Sequence, residues 1–417
     1  MSKVLFLFTK NYPFGRAEQY IADEQDYLSE KFEKIIFVPC EVFTEQQMES
    51  RRDIPVNAEV LLLNQETLKS PKSKSHFWEF INVFFGEWLR AENKLWFWKE
   101  RKRYASVLRH QSACASYLQQ LLKEKYKGDQ TCFYAYWIHN SAIMLGLMKR
   151  RGAISDYIVR GHSIDLYDWA WTPTKTVGLK VLPFYNFNIA SASAIYPISN
   201  HGERFLKNKF PAYAQKIKSF HLGVPDCGTN PLDASSVFTI ATCGATTFAK
   251  GIHRVPGLLA LLDFPVRWIH FGSDGNVSDQ VKREVASLPA NVRVELRGFT
   301  PNAEIKKVYA SETVHLFLNL SEVEGVPVSI MEAISFGIPV IGTDVYGTSE
   351  VANENTGWTV PYEVSTEELA SIVRKYAADH ALQEKLRKSS KQFYLKNFYA
   401  ASNYKAFTTE LLKHLNP

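Results

Sequence analysis

Two glutamates, Glu324 and Glu332, stand eight positions apart in the stretch SEVEGVPVSIMEAISFGIPVIGT, residues 321–343. A carboxyl pair can work on one glycosidic bond as acid and nucleophile, but only at about 5 to 9.5 Å separation. A wholly helical segment of this length would hold the two roughly 12 Å apart, so separate duties are expected. Each carboxylate can accept charge-assisted hydrogen bonds from hydroxyls. Glu324 would serve the hydroxyls of a sugar, and Glu332 a vicinal diol such as a ribose. Between them the sequence predicts a helix start, with Gly325 and Val326 in the loop before it. Pro327 suits the first helical position, where its fixed φ and missing N–H cost nothing, and Gly337 suits the C-terminal cap. The N–H groups of Val328, Ser329 and Ile330 then point out of the helix with the positive end of its dipole. Such a site takes an anion, and a nucleoside diphosphate fits it.

The elements that must hold these groups repeat along the chain. Short apolar runs alternate with helical stretches, which predicts an α/β protein of parallel sheets with helices on both faces. In the first half the expected strands are VLFLFT, IIFVPCE, AEVLLLN, CFYAYW, DYIVRGHS, AIYPISN and IKSFHLG. In the second half they are FTIATCG, VRWIHFGS, VRVELRG, VHLFLNL, IPVIGT and GWTV. Between the two series lies VPDCGTNPLDASSV, rich in turn-forming residues and read as a linker over 225–236. Two Rossmann-like domains follow, 1–224 and 237–397, with ligands in the interdomain cleft at the carboxyl ends of the strands.

The order Glu-Gly-Val-Pro, Glu-Ala, Gly-Ile-Pro-Val-Ile over residues 324–341 resembles the donor-site signature of family 4 glycosyltransferases, in particular members that assemble bacterial surface polysaccharides. The resemblance implies the GT-B fold, with residues 398–417 crossing back onto the first domain. It also implies a nucleotide-sugar donor, either a UDP- or a GDP-sugar, and a saccharide acceptor. Donor contacts fall to Glu332, Gly325, Val326, Pro327, Val328 and Ser329, and to Gly244 before the segment ATTFAKG. Family members commonly carry an Arg and a Lys five positions apart in that segment, gripping the diphosphate. Lys250 matches the Lys, whereas Ala245 stands at the Arg position, which leaves Lys250, the helix amides and nearby Arg254 to hold the charge. By the same resemblance, Gly272 in FGSDG and Gly298 with Phe299 in RGF cradle the nucleoside base. RGHSIDLYD resembles the RxHxxDLY pattern in which the histidine reaches the donor sugar, here His162 with Asp165 behind it. Gly15 occupies a loop that in relatives approaches donor and acceptor. Trp137 and His139, with Ser199 and Gly202, fit the acceptor side. The expected catalytic set is Glu324, Lys250 and His162. Retention of configuration without a protein nucleophile is what the resemblance implies, and with no Asp-x-Asp motif in the sequence neither metal nor cofactor is expected. Two alternatives share these features: a nucleotide-sugar epimerase or hydrolase of the same architecture, and a non-catalytic sugar-nucleotide-binding scaffold, prompted by Ala245.

Composition bounds the partners. At 417 residues, 46% hydrophobic and 22% charged, the chain has the balance of a two-domain globular protein. No segment approaches the ~20 apolar residues of a membrane span. VLFLFT is expected to be a first strand and not a signal peptide. Five scattered cysteines suggest neither zinc nor redox chemistry and point to a reducing cytoplasm. The formal charge of +6 is not arranged in any nucleic-acid motif. It is concentrated instead at residues 69–103, where nine Lys or Arg face four Glu and four of the nine tryptophans lie. Basic and aromatic residues on amphipathic helices suit the inner face of the plasma membrane, which would make the acceptor a polyprenyl-linked saccharide.

Overall fold

The structure is a computed structural model that describes residues 2–15, 18–41, 51–63, 76–167, 182–233 and 236–416. Two six-stranded parallel sheets organise it. The first comprises β1 (Lys3–Thr9), β2 (Lys34–Pro39), β3 (Ala58–Val60), β4 (Gln130–Ala135), β5 (Ile158–Gly161) and β6 (Ala194–Pro197), in the order β3-β2-β1-β4-β5-β6. The second comprises β7 (Phe238–Cys243), β8 (Val266–Phe271), β9 (Val292–Leu296), β10 (Leu316–Asn319), β11 (Val340–Thr343) and β12 (Gly357–Val360), in the order β12-β11-β10-β7-β8-β9. Both are doubly wound, so in each sheet the strand order reverses beside the first strand, at β1/β4 and β7/β10. Crevices for ligands open there, beyond the carboxyl ends.

The apolar runs form strands because both faces are covered. In β1 every side chain after Lys3 is buried, the pattern of a central parallel strand. One expected strand is absent: within 217–223 only Ile217 bridges to Ile195, after which Phe220 N–H donates to Pro197 O and the chain leaves the sheet edge. Its course is dictated by the crossing between domains. There Val224 N–H donates to Phe398 O and Ala400 N–H to Val224 O, both at 3.0 Å, while the Tyr394 and Tyr404 hydroxyls bond the carbonyls of Val224 and Gly223. The two crossing segments touch so closely that a Cβ on Gly223 would lie 2.6 Å from Ala400 Cα. Helix Ala400–Leu411 then packs Phe407 and Leu411 into the core under the first sheet. Within the expected linker, Asn230 is buried against the second domain, donating to the carbonyls of Tyr309 and Glu312. Residues 234–235 of that linker lie outside the described residues, as do 69–75 of the basic aromatic segment.

Candidate active site

The loop after β10 delivers Glu324, and its position is set locally. Ser321 Oγ donates to Glu324 Oε1 at 2.8 Å, and Lys250 Nζ reaches the same oxygen at 2.6 Å. Lys250 ends the turn Phe248–Lys250 after β7 and is about one-third exposed. Gly251 behind it has φ 66°, and any Cβ there would fall 1.9 Å from Leu320 O, so only glycine fits. A second glycine, Gly244, is set by its φ of 145°, and the alkyl stem of Lys250 runs alongside it, with Cγ 3.4 Å from where a Cβ would stand.

The helix that follows is Val328–Ser335. Pro327 is its N-cap and not its first residue: ψ is 113°, and its carbonyl already accepts from Ile330 and Met331. An N-cap's backbone is extended while its C=O begins the ladder, and proline tolerates that as well as it tolerates the first turn. Val328 and Ser329 therefore carry the N–H groups without intrahelical partners, and both residues are only half-buried. At the other end Gly337, with φ 76°, closes a Schellman motif: its N–H bonds Ile334 O and the next N–H bonds Ala333 O.

Glu332 projects from the second turn and is buried. Asn302 Nδ2 donates to its Oε1. Burial pushes its carboxyl up to about 7, opposed by Lys306 and the Asn302 bond and reinforced by Asp23 of the first domain. Since only Val328–Ser335 is helical, half of the segment between the glutamates is loop, and the two carboxylates have separate partners: Lys250 and Ser321 for one, Asn302 for the other.

A cavity of about 340 Å³ opens at the ends of β8 and β9. Gly272, Gly298 and Phe299 line it together with Thr246, His270 and Lys282. Gly272 N–H donates to Gly298 O, and a Cβ on Gly272 would meet Gly244 O at 1.8 Å, so the loops after β7, β8 and β9 are locked together. His270 on its wall is held between the hydroxyls of Thr242 and Thr246, and burial lowers its imidazole to about 4.

Across the cleft, β5 ends at Gly161 and presents His162. Its Nε2 lies 3.0 Å from Tyr136 O, which only an N–H can satisfy, so Nδ1 is left as an acceptor. Burial, aided by Arg160, holds the ring well below the ordinary histidine range and therefore neutral. Trp137, Tyr136 and Tyr20 box it with ring centroids at 4.4, 4.9 and 5.5 Å. Asp165 acts from behind: Oδ1 accepts from His162 N–H and Oδ2 from Ile138 N–H, both at 2.8 Å, so both carboxylate oxygens are engaged by backbone. Trp137 is fixed by its Nε1–H on Glu18 Oε1 at 2.6 Å, and Lys10 lies 4.0 Å over its ring. His139 caps helix Asn140–Arg150, lies near Glu41, and is lowered to about 4 by burial. Gly15, at φ 68°, gives its carbonyl to Arg52 Nε and Nη2, while Arg16 and Ala17 beside it lie outside the described residues. Ser199 is the N-cap of helix Asn200–Lys209. Arg254 turns away from Lys250, bonding Val364 O and stacking on Tyr362.

The two halves meet at Gly325. A Cβ there would lie 3.5 Å from Ser163 N and 3.2 Å from Ile198 Cδ1, so the loop that carries Glu324 abuts the residue next to His162. Glu18, Ser321 and Asn302 were not foreseen from the sequence. The Glu18–Trp137 and Asn302–Glu332 bonds span 119 and 30 residues, beyond any local pattern, while the Ser321–Glu324 bond spans three and depends on how the loop turns.

Two doubly wound domains facing across a cleft, with an anion-competent helix start in the second, define the GT-B architecture. Residues 234–393 match the family model for Glycosyl transferases group 1. The chain is 24% identical over 245 residues to the GtfA subunit of the UDP-N-acetylglucosamine–peptide N-acetylglucosaminyltransferase of Streptococcus gordonii, covering 56% of this chain and 47% of that one. It is 31% identical over 112 residues to the amylovoran biosynthesis glycosyltransferase AmsK of Erwinia amylovora, covering 26% and 27%. It thus spans less than half the length of these curated relatives. Among solved structures, that of Anabaena HepE in complex with UDP aligns with a TM-score of 0.64 at 17% identity over 99% of both chains. The match to the group 1 glycosyltransferase model thus falls on the second domain of a GT-B fold.

Proposed function

We propose that the protein transfers a sugar from a nucleoside-diphosphate donor to a saccharide acceptor, with retention of configuration, in the assembly of a bacterial surface polysaccharide. The observation that carries this reading is the Gly325–Ser163 contact, which seats the Lys250–Glu324 pair and the amides of Val328 and Ser329 opposite His162. The base enters the cavity at Gly272 and Gly298, the ribose diol bonds Glu332, and the diphosphate meets the helix amides. An arriving diphosphate draws Lys250 away from Glu324, which frees that carboxylate to accept the sugar hydroxyls. As the bond from the anomeric carbon to phosphate oxygen breaks, negative charge grows on the phosphate where the ammonium and amides stand. The acceptor hydroxyl attacks the same face and gives its proton to the departing phosphate oxygen. Neutral His162 holds the donor sugar through Nδ1. These groups hold the diphosphate without a metal ion. UDP occupies the HepE neighbour, which favours a uridine nucleotide as donor.

The acceptor side is read as facing lipid. Helix Phe77–Arg90 exposes Phe77 (60%) and Trp78 (73%), and the next turn exposes Leu95 (87%) and Trp98. Lys94, Lys99, Arg101, Lys102 and Arg103 stand beside Leu95 and Trp98 in the sequence, all exposed, and Arg101 lies over the Trp98 ring. Exposed apolar side chains with cations in the adjoining turns suit an anionic bilayer surface and a polyprenyl-linked acceptor. Among the described residues no helix is long and apolar enough to cross a membrane.

The test is a panel of nucleotide sugars incubated with and without a lipid-linked saccharide. Transfer that depends on the acceptor and inverts neither anomer supports the proposal. Release of free sugar at the same rate without acceptor identifies a hydrolase and overturns it.

A further inference from the structure

Helix Asn200–Lys209 of the first domain begins with unpartnered amides, as every helix does. Ser199 Oγ takes the Gly202 N–H at 2.9 Å. Two more, Asn200 N–H and His201 N–H, donate at 3.0 and 2.7 Å to the carboxylate of Glu350, which belongs to the second domain. The same carboxylate lies 2.8 Å from Nε2 of His221, three residues before the crossing at Val224. One side chain thus completes the cap of a helix in the other domain and grips the approach to the hinge.

Glu350 ends the turn Thr348–Glu350, directly after Gly347. Gly347 is wedged between domains: a Cβ there would lie 2.0 Å from Gly325 O and 3.1 Å from Ser199 Cβ. Gly325 in turn abuts Ser163 and precedes the helix that faces the anion site. A continuous stack therefore runs from Glu350 through Gly347 to the loop carrying Glu324. Its neighbour Tyr346 is held at φ 50°, an uncommon conformation for a side-chain-bearing residue, with its ring 4.5 Å from that of Tyr167, whose hydroxyl bonds His201. Such strain persists where surrounding contacts over-determine it, and here those contacts come from the opposite domain.

We propose that Glu350 is a positioning residue for transfer, an interdomain clasp whose engagement seats the Gly325 loop against Ser163 and so sets Lys250 and Glu324 opposite His162. It touches neither donor nor acceptor. Its effect on turnover rests on the transferase reading, whereas its effect on domain closure does not.

The experiment compares Glu350→Gln and His221→Asn with the parent protein in three measurements: small-angle scattering with and without UDP, UDP affinity by calorimetry, and kcat. Losing the charged acceptor at two amides should lower the closed-to-open ratio by at least about tenfold, the worth of one charged hydrogen bond. The expected result for Glu350→Gln is a larger radius of gyration, UDP affinity within about twofold of the parent, and kcat reduced at least about tenfold. His221→Asn, which keeps both helix amides bonded, should fall between. Unchanged scattering in both variants overturns the clasp. Equal losses of UDP affinity and kcat also overturn it, because they assign Glu350 to the stability of the second domain. Should the parent transfer no sugar from any donor, the transferase reading fails while the scattering comparison still decides the clasp.

Discussion

Glu332 offers the most quantitative test of the site. Its carboxyl is buried and raised from 4.5 to about 7, so the folded protein holds this proton more tightly than the unfolded chain does. The sign follows. The group's contribution to stability is fully present below about pH 4.5 and is lost as pH rises through 7, roughly 3 kcal/mol in all. Binding runs the other way, because a ribose diol donates two hydrogen bonds and only the carboxylate accepts both. With a value of about 7, roughly one-tenth of the protein is ionised at pH 6 and nine-tenths at pH 8. UDP affinity should therefore rise about tenfold over that interval on account of Glu332. UDP has a phosphate that titrates in the same range, so the informative quantity is the difference between the parent and Glu332→Gln. Calorimetric titrations at pH 6, 7 and 8 measure it. Equal slopes in the two proteins would falsify the assignment of Glu332 to the diol.

Other expectations are as direct. Lys250→Ala should reduce kcat/KM by about 10² to 10³ while the circular dichroism spectrum stays unchanged, since one preorganised cation at the leaving group is lost. Arg254→Ala should not reproduce that loss of rate, because the Arg254 guanidinium is engaged with Val364 O and the Tyr362 ring. Asp165→Asn leaves one of two buried amides, His162 N–H or Ile138 N–H, facing an NH₂ group. Chemical denaturation should show a loss of about 1–3 kcal/mol, and kcat should fall with the displaced His162 loop. Gly251→Ala places a Cβ 1.9 Å from Leu320 O in a left-handed conformation, and a melting temperature equal to the parent's would contradict the packing described. Trp78→Ala combined with Trp98→Ala should weaken sedimentation with phosphatidylglycerol vesicles and leave transfer to a soluble acceptor analogue intact; undiminished vesicle binding would count against the lipid-facing surface.

The parts of this fold that could be read from sequence are those governed by neighbours in the chain. VHLFLNL reads as a buried parallel strand because it is uniformly apolar, and Leu316–Asn319 forms one. Gly337 announces a helix end because its left-handed φ is local. The helix start was displaced by one residue, since proline fits the N-cap and the first turn alike. The extended stretch 217–223 looks like a strand by composition, yet its path is fixed by the contact between Gly223 and Ala400, 177 positions apart and invisible to any periodicity. Site residues divide in the same way. Glu324, Glu332 and Lys250 stand in patterned segments, whereas Glu350 acquires its partners, and Glu18 its bond to Trp137, only when distant loops are brought together.

The doubled crossing at Val224 and Phe398 makes the first half of this fold discontinuous in sequence. Phe407 and Leu411 are interior residues of that half, and Asn416 exchanges backbone hydrogen bonds with Thr131 at the foot of β4. A chimera meant to replace the first domain while keeping the second must therefore exchange two segments together, the leading one up to the hinge and the last stretch from Phe398 onward. Swapping the first alone would pair a foreign core with a native plug.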